Sequence, residues 1–236
     1  MKLFLVLFIF IFSLMMSMRT LSDQIPSTNI PDLSFSSSKK ITYRSNQSDY
    51  FSKRKAHLSQ LPVKNIILEG SKKQKEKLTR WLNDIAVIPK GYTTLKAIEA
   101  SGHTLTITHS VAARLSSGRT IAPMTEKIIN GAGDSVKIIF DADMEDRGTH
   151  RVFGLHNELI EFNAIQNLYH ELAHAMHQMQ GTWRYFASEK QAIEEENEFR
   201  KDLANINGEP VRLRYRSKGV MITKLSAGGL GYSLPH

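Results

Sequence analysis

Cysteine is absent from all 236 residues of the chain. This absence excludes disulfide bonds, thiolate metal ligands and a cysteine nucleophile. Any metal ion must therefore be bound by histidine, aspartate or glutamate side chains. Hydrophobic residues make up 41% of the sequence, which is enough for one sizeable core, or for a core plus an extended segment. We expect a single domain of the size of an enzyme.

The N-terminus contains an apolar run from Leu3 to Met16 that only Ser13 interrupts. This run is shorter than the roughly 20 residues of a membrane-spanning helix, and it has the length of a signal-peptide core. We predict that residues 1–22 form a signal peptide or, if uncleaved, an N-terminal hydrophobic anchor. The protein is then secreted, and its only membrane contact is through this segment. A start codon assigned too far upstream is a further alternative.

Positive charge is concentrated in one part of the chain. The formal net charge is +8, and twelve Lys or Arg face three acidic residues between Lys39 and Arg80. Such a stretch could contact an anionic surface, but no RNA-binding motif or zinc knuckle accompanies it. We expect a solvated face plus a flexible arm, and no nucleic-acid partner. The alternative is a basic binding protein with a structural or inactive metal site.

The remaining sequence divides into an arm and a folded domain. Residues 23–60 are rich in Ser, Asn, Thr and Lys and are predicted to form a polar, basic linker. Residues 61–236 are predicted to form the folded domain. Hydrophobic periodicity there predicts strands in "VKNIILEG", "HTLTITHS" and "SVKIIFDAD", and helices after Ser71, from Thr93 to Ala100, after Asn163 and after Ser188. Pro89 is predicted to stop the first helix, and "MEDRGTHRVFGLHNELIEF" is predicted to be a loop that can contain a short turn. This order of elements suits an α+β fold.

The segment "NLYHELAHAMHQMQG" places several histidines in an apolar helix. Residues four apart lie on one helix face, so His170 and His174 can bind the same ion. His177 shares the face, but it lies about 10.5 Å along the axis from His170 and is too far away to join them. We interpret His177 as a neighbour at the rim.

Glu171 follows the first histidine directly. It flanks the metal-binding face without ligating, and it can accept a hydrogen bond from a water on the ion. A bound ion lowers the pKa of its water towards about 7, and the carboxylate can take the proton as the water attacks a carbonyl. The segment therefore has the HExxH pattern of zinc metalloproteases.

A catalytic zinc site normally has three protein ligands, and the third is not in the same segment. The following helix carries five glutamates. Glu189 has the small residue Ala192 three places on, which would allow two helices to approach closely, whereas an antiparallel return from Gly181 would bring Glu195 or Glu196 level with the histidine pair. The spacing leaves these three candidates open.

Several blocks in the same order resemble the NleD-like bacterial effector metalloproteases. The blocks are "GAGDSVKIIFD", "YHELAHAMH", "EKQAI", "ENEFRKDL" and "GEPVRLRY", and together they cover roughly residues 120–216. The resemblance implies a zincin-like fold, one Zn²⁺ ion and hydrolysis of peptide bonds. It also implies delivery into host cells and host protein substrates, with stress-activated MAP kinases as the candidate class.

The resemblance also assigns roles to particular residues. It favours Glu189 as the third ligand, because the family's glutamate block matches Glu189, Ala192 and Ile193. A second block, matched by Glu196, Asn197 and Arg200, is implied to lie on the substrate side, as is a third block of Arg212 or Arg214 with Tyr215.

We therefore predict a monomeric zinc endopeptidase of the α+β class. A small sheet packs on the HExxH helix and on the glutamate-bearing helix that follows it. His170, His174 and Glu189 bind the metal, Glu171 is the general base, and Tyr215 or an arginine stabilises the oxyanion. The strand "SVKIIFD" is predicted to form the edge of the cleft and to pair with an extended substrate.

Overall fold

A computed structural model of the chain describes residues 64–114, 118–224 and 230–233. Within these ranges the fold is a mixture of helices and two small sheets, so the predicted α+β class is confirmed. The helices longer than one turn are α1 (Lys72–Ala86), α2 (Pro89–Ala100), α3 (Ala164–Met179) and α4 (Ser188–Asn207). The strands are β1 (Ile66–Glu69), β2 (Leu105–His109), β3 (Gly118–Ile121), β4 (Val136–Phe140), β5 (Gly148–Gly154), β6 (Leu159–Phe162), β7 (Arg214–Lys224) and β8 (Leu230–Ser233).

Two sequence predictions concern residues before this region. The signal peptide or anchor at 1–22 and the linker at 23–60 lie outside the described residues, and both stay predictions. Among the described helices, none has the length and apolar character needed to cross a membrane.

The first sheet has the strand order β1-β2-β4-β3. Strands β1, β2 and β4 are parallel, whereas β3 pairs antiparallel with β4. Parallel neighbours need a crossover connection, and helices α1 and α2 supply it between β1 and β2. One face of this sheet is buried, and its row of large apolar residues consists of Leu105, Ile107, Val136, Ile138 and Phe140.

The strand "SVKIIFD" is present, but the prediction that it forms the edge of the cleft is wrong. Strand β4, which contains most of "SVKIIFD", pairs with β2 on one side and with β3 on the other. Both of its hydrogen-bonding edges are therefore occupied, and it cannot pair with a substrate. The physical reason is its composition, because alternating large apolar residues favour an interior strand. Among the described residues, the short strand β3 is the edge of this sheet next to β4.

Helix α1 begins as predicted, with a reciprocal capping box between Ser71 and Gln74. Its apolar stripe is buried against the sheet, and it ends at Ala86. Pro89 does not simply stop it. The proline is the first residue of α2, where its missing N–H carries no penalty, so the second helix starts four residues before the predicted Thr93.

The segment after β4, predicted as a loop with a short turn, contains two strands that were not predicted. A single helical turn, Met144–Arg147, is followed by the antiparallel strands β5 and β6. They belong to a second sheet with the order β6-β5-β7-β8. Its small cluster of buried apolar residues contains Val152, Ile160 and Phe162. These strands are short and mix polar with apolar residues, which hides their alternation in the sequence.

Helix α3 is the central element of the core. Asn163 caps its start in a capping box with Gln166, as the sequence predicted for the cap. Nearly all of its residues are buried, because the first sheet covers one side and the other helices cover the rest. A helix in this position holds its polar side chains in fixed rotamers, which is what a binding site needs.

A glycine loop closes the C-terminal end of α3. The N–H of Gly131 donates to the carbonyl of Gly181 at 2.9 Å. Gly133 has a φ of +71°, and a Cβ on it would lie 1.8 Å from the carbonyl oxygen of Met179. Only glycine allows the backbone to approach the helix end this closely.

Candidate active site

His170 and His174 project from adjacent turns of α3 towards the same point. Both are almost fully buried, and their rings meet edge to face with centroids 4.9 Å apart. The helix spacing of four residues and the burial of the helix together fix this arrangement. The pair is therefore rigid before any ligand arrives.

Glu189 reaches the two histidines from the first turn of α4. Its Oε2 lies 3.5 Å from His170 Nε2, and its Oε1 lies 3.2 Å from His174 Nε2. One ligand atom from each of the three residues lies within 4.8 Å of the other two. Among the described residues, this is the one group of histidines and acidic residues close enough to bind a metal ion.

The donor set fits a zinc ion. Zn–N and Zn–O bonds of about 2.0–2.2 Å in a tetrahedral site place neighbouring donors about 3.3 Å apart. The contacts of Glu189 with the two Nε2 atoms, 3.2 and 3.5 Å long, have this length. Two imidazoles and one carboxylate are also a donor set that zinc enzymes use, with a fourth position left for water or substrate.

A second carboxylate, Glu196, contacts His170 from behind. Its Oε2 lies 3.0 Å from His170 Nδ1, the ring nitrogen on the side away from Glu189. The side chain of Glu196 is fully buried and is also bound by Arg200 Nε and Arg214 Nη1, each at 2.7 Å. An ionised carboxylate only accepts hydrogen bonds, so His170 Nδ1–H is the donor. This leaves Nε2 facing the metal position.

The charges in this group depend on one another. Burial opposes ionisation of Glu196, but the hydrogen bond from His170 and the two guanidinium groups outweigh it and lower its pKa to about 2. Burial also opposes protonation of His170, but its contacts with Glu189 and Glu196 raise its pKa to about 9. Contacts with both histidines lower the pKa of Glu189. A metal ion that binds here would thus displace a proton.

Asn197 connects this group to the second sheet. Its side-chain amide donates to the carbonyl of Arg214 at 2.9 Å and accepts from the N–H of Arg214 at 2.7 Å. The guanidinium of Arg214 also lies over the ring of Phe162, 4.7 Å from the centroid. The first residue of β7 is thereby fixed against α4 through its backbone and its side chain.

Glu171, the predicted general base, is buried on the neighbouring position of α3. The hydroxyl of Thr120 on strand β3 lies 2.6 Å from its carboxylate Oε2. Gly118 on the same strand faces the carboxylate, and a Cβ there would lie 2.7 Å from Glu171 Cγ. The edge strand of the first sheet therefore contacts the Glu171 side chain directly.

A cavity of about 690 Å³ opens beside Glu189. Its walls include the apolar side chains Leu155 and Ile193 and the phenol of Tyr215, which is 57% exposed. The volume is that of an ordinary ligand pocket. The candidate metal position and this cavity share one wall, Glu189.

The chain is similar to a known family of proteins. A family model for Peptidase_M91, described as effector proteins, matches residues 63–211, which is more than half of the chain. The chain belongs to this family. It is therefore a peptidase of the effector type, and the resemblance to NleD-like effector proteases is confirmed. No curated protein matches the chain significantly.

Membership of a peptidase family gives the histidine cluster a chemical context. A peptidase acts on protein substrates and needs a group that activates water or a nucleophile, and cysteine is excluded. The cluster of His170, His174 and Glu189 could bind a metal ion for this purpose. The buried carboxylate of Glu171 lies on the same helix.

The three candidates for the third ligand have different neighbours in the structure. Glu189 joins the two histidines, whereas Glu196 contacts only the outer nitrogen of His170. Glu195 faces elsewhere, with its Oε1 3.5 Å from His177 Nε2, and it pairs with Lys90. A residue's position along the axis of α4 does not by itself decide which histidine atoms it reaches, because that also depends on the face of α4 that the residue occupies.

Only some of the residues that the resemblance assigns to the substrate side line the cavity. Asn197, Arg214 and Tyr215 line the cavity. Glu196 and Arg200 do not, because they are buried behind His170. Arg212 is exposed.

Two residues of the site, Thr120 and Gly118, were not found from the sequence. They are about fifty positions from Glu171, in a strand of four residues, and no motif marks them.

Proposed function

We propose that the protein is a zinc-dependent endopeptidase. The observation that supports this most strongly is the convergence of His170 Nε2, His174 Nε2 and a Glu189 oxygen on one point, with Glu171 on the same helix. His170, His174 and Glu189 would bind the ion. When bound, zinc acts as a Lewis acid that polarises the scissile carbonyl and makes a water acidic enough to attack at neutral pH.

The protein residues then handle the proton. The Glu171 carboxylate accepts a proton from the attacking water and passes it to the amide nitrogen that leaves. The burial of Glu171 keeps bulk water away from this transfer. Tyr215 lines the cavity beside Glu189, and we propose that its phenol donates a hydrogen bond to the developing oxyanion.

The substrate is proposed to bind as an extended strand along β3. Peptides often add to an exposed sheet edge, where backbone hydrogen bonds hold them and pockets select side chains. Strand β3 replaces β4 in this role because the structure places β3 at the edge and in contact with Glu171. The cavity beside Glu189 would receive a substrate side chain.

The biological setting is also a proposal. The family description, effector proteins, supports delivery of the protein into host cells. We propose host proteins as substrates, with stress-activated MAP kinases as the candidate class that the family resemblance implies. The signal peptide at 1–22, the domain limits at 22 and 60 and the monomeric state belong to the same proposal.

The test uses wild-type protein and the Glu171→Gln variant. Each is incubated with host-cell lysate, with and without added zinc, and new protein N-termini are mapped by mass spectrometry. We expect new N-termini only with the wild type in the presence of zinc, while both proteins bind equal zinc by elemental analysis. Equal fragments from both proteins would remove the peptidase mechanism. A basic binding protein, the alternative, would retain its binding when Glu171 is replaced and would produce no fragments.

A further inference from the structure

Strand β3 holds the proposed general base through one hydroxyl group. Thr120 Oγ1 lies 2.6 Å from the Glu171 carboxylate Oε2 and 3.0 Å from the Glu171 backbone carbonyl. The hydroxyl has one hydrogen to donate, and the shorter contact to a charged acceptor is the stronger one. Thr120 therefore ties the end of the Glu171 side chain to a point fixed relative to its own backbone.

Gly118 provides the space for this arrangement. A Cβ at residue 118 would lie 2.7 Å from Glu171 Cγ, 3.1 Å from its Cδ and 3.0 Å from Phe140 Cδ2. The backbone of Gly118 does not have a positive φ, so its conformation does not demand glycine. The requirement is steric, because any larger residue would push the Glu171 side chain away from Thr120.

The register of the sheet explains why these two residues face the helix. Gly118 pairs with Phe140 and Thr120 pairs with Ile138 in the antiparallel ladder. Both partners point into the core, and residues two apart in a strand share a face. Arg119 and Ile121, which alternate with them, are exposed.

We propose that Thr120 and Gly118 are positioning residues for Glu171. A glutamate side chain has three rotatable bonds and several accessible rotamers, and proton transfer needs the carboxylate within hydrogen-bond reach of the water. The Thr120 hydroxyl selects one rotamer by holding Oε2. The space at Gly118 allows that rotamer.

The inference rests on the proposed function, and it implies that β3 positions both the substrate and Glu171. Among the described strands, β3 has a neighbour on one side only. If the substrate backbone pairs along its other side, the strand that aligns the scissile bond also aligns the base. The distance between the scissile bond and the Glu171 carboxylate then depends on one short strand and not on the packing of separate elements. This favours a fixed reacting geometry.

The test is a kinetic comparison of Thr120→Val and Thr120→Ser. The probe is a quenched fluorescent peptide that spans a cleavage site mapped in the lysate experiment. Valine keeps the branched shape and removes the hydroxyl, so we expect kcat to fall by about tenfold to hundredfold, with KM and the zinc Kd changed less than about twofold. Serine retains the hydroxyl and should restore kcat to within about threefold of wild type.

Two further variants complete the comparison. Gly118→Ala keeps the hydroxyl but displaces the carboxylate, and it should reproduce the loss of kcat while zinc affinity is retained. Thr106→Val removes a hydroxyl from a partly buried threonine on β2 of the same sheet and should leave kcat and KM unchanged. Melting temperature and zinc affinity, measured by circular dichroism and calorimetry, separate a folding defect from a positioning defect.

The outcomes distinguish the inference from the proposed function. Wild-type kcat in Thr120→Val, or a loss of kcat that serine does not restore, would overturn the positioning role alone, provided that Glu171→Gln is inactive. A kcat loss that is matched by an equal loss of zinc affinity would also overturn it, since the effect would then be on folding of the site. Full turnover by Glu171→Gln would instead overturn the proposed function.

Discussion

At the scale of single residues, the site is built from acidic groups that have different partners. Three glutamates of α4 lie near the histidines of α3, yet each meets a different atom. Glu189 faces the Nε2 atoms, Glu196 faces His170 Nδ1, and Glu195 faces His177. Their environments, rather than their sequence spacing, assign their roles.

Replacement of Glu196 tests its role behind His170. The Glu196→Gln change keeps an acceptor for Nδ1–H but removes the negative charge between two buried arginines. We expect zinc affinity to fall by about tenfold to hundredfold, and the free energy of unfolding to fall by about 3–5 kcal/mol, because buried guanidinium groups lose their counterion. Calorimetric titration with zinc and urea unfolding measure the two effects.

The matched control is Glu198→Gln on the same helix. Glu198 is exposed and pairs only with Lys201 among the described residues, and surface pairs of this kind contribute about 0–1 kcal/mol. Neither zinc affinity nor stability should change appreciably in the control. A folded Glu196→Gln protein with wild-type zinc affinity would contradict the assignment.

We expect Glu195 to make the free energy of unfolding depend on pH. Contact with His177 lowers its pKa, burial opposes this, and Lys90 lowers it further, to about 2 from an ordinary value of 4.5. A depressed carboxyl pKa contributes stability above about pH 4.5 that is lost as pH falls through about 2. Glu195→Gln should therefore destabilise the protein by about 1–2 kcal/mol at pH 7.

The measurement is urea unfolding of wild type and variant at several pH values between 7 and 2. The difference in the free energy of unfolding should shrink towards zero across the range below pH 4.5. Glu194→Gln, an exposed neighbour whose contacts with Arg184 and Lys190 are 3.7 and 4.0 Å long, is the control and should show little difference throughout. A Glu195 effect that is independent of pH would exclude the ionic explanation.

At the scale of elements, the C-terminal end of α3 requires a glycine in the loop that closes it. Gly133 and Gly102 have almost the same φ, +71° and +72°, but a Cβ at Gly133 would lie 1.8 Å from Met179 O, whereas one at Gly102 meets nothing within 4 Å. We expect Gly102→Ala to cost about 1 kcal/mol for the left-handed backbone. Gly133→Ala should cost about 3 kcal/mol or more.

Thermal and urea unfolding of the two alanine variants give this comparison directly. The difference between the two variants reports the clash with the helix end, because both residues have almost the same positive φ. Equal losses of stability would show that the loop can move away from the helix end.

Some helices and strands could be predicted from the sequence, and others could not. Helix α3, with its Asn163 cap, and strand β4 were predictable, because each buries a periodic set of large apolar residues. Strand β3 was not, because "GRTI" has four residues with one large apolar side chain. Strand β5, "GTHRVFG", has two large apolar side chains in seven residues. Strand β6 was also read as a loop, although "LIEF" has three in four.

The same limit applies to the candidate site. The pair His170 and His174 with Glu171 follows from local helix geometry, so spacing was sufficient. The contact of Thr120 with Glu171 joins residues 51 positions apart, and only the sheet register creates it. Spacing could not rank Glu189 above Glu195 and Glu196, because the rotation of one helix against another depends on side-chain packing.

At the scale of the whole molecule, a metal bound between α3 and α4 should stabilise the fold. The proposed ligands come from two helices that are joined by residues 180–187, so a bound ion would act as a crosslink between them. A ligand that binds only the native state at 100 times its Kd adds about 2.7 kcal/mol to the free energy of unfolding. We therefore expect zinc at this concentration to raise the melting temperature by about 5–10 °C relative to protein treated with a chelator.

The control is the double variant His170→Ala, His174→Ala. Its melting temperature should not respond to zinc, while added zinc should restore the wild type after chelation. Differential scanning fluorimetry over a zinc titration provides both curves. An identical response in the two proteins would place the binding site elsewhere.

The two hydrogen bonds between the Asn197 side chain and the Arg214 backbone have a consequence for protein engineering. One amide satisfies both backbone groups of a strand residue, as an adjacent strand would, and the arginine that it holds also neutralises Glu196. A hairpin transplanted from a homologue in place of β7 and β8 should therefore preserve zinc affinity when it begins with arginine. An otherwise identical graft that begins with lysine should lose part of that affinity, since a lysine cannot reproduce the planar guanidinium.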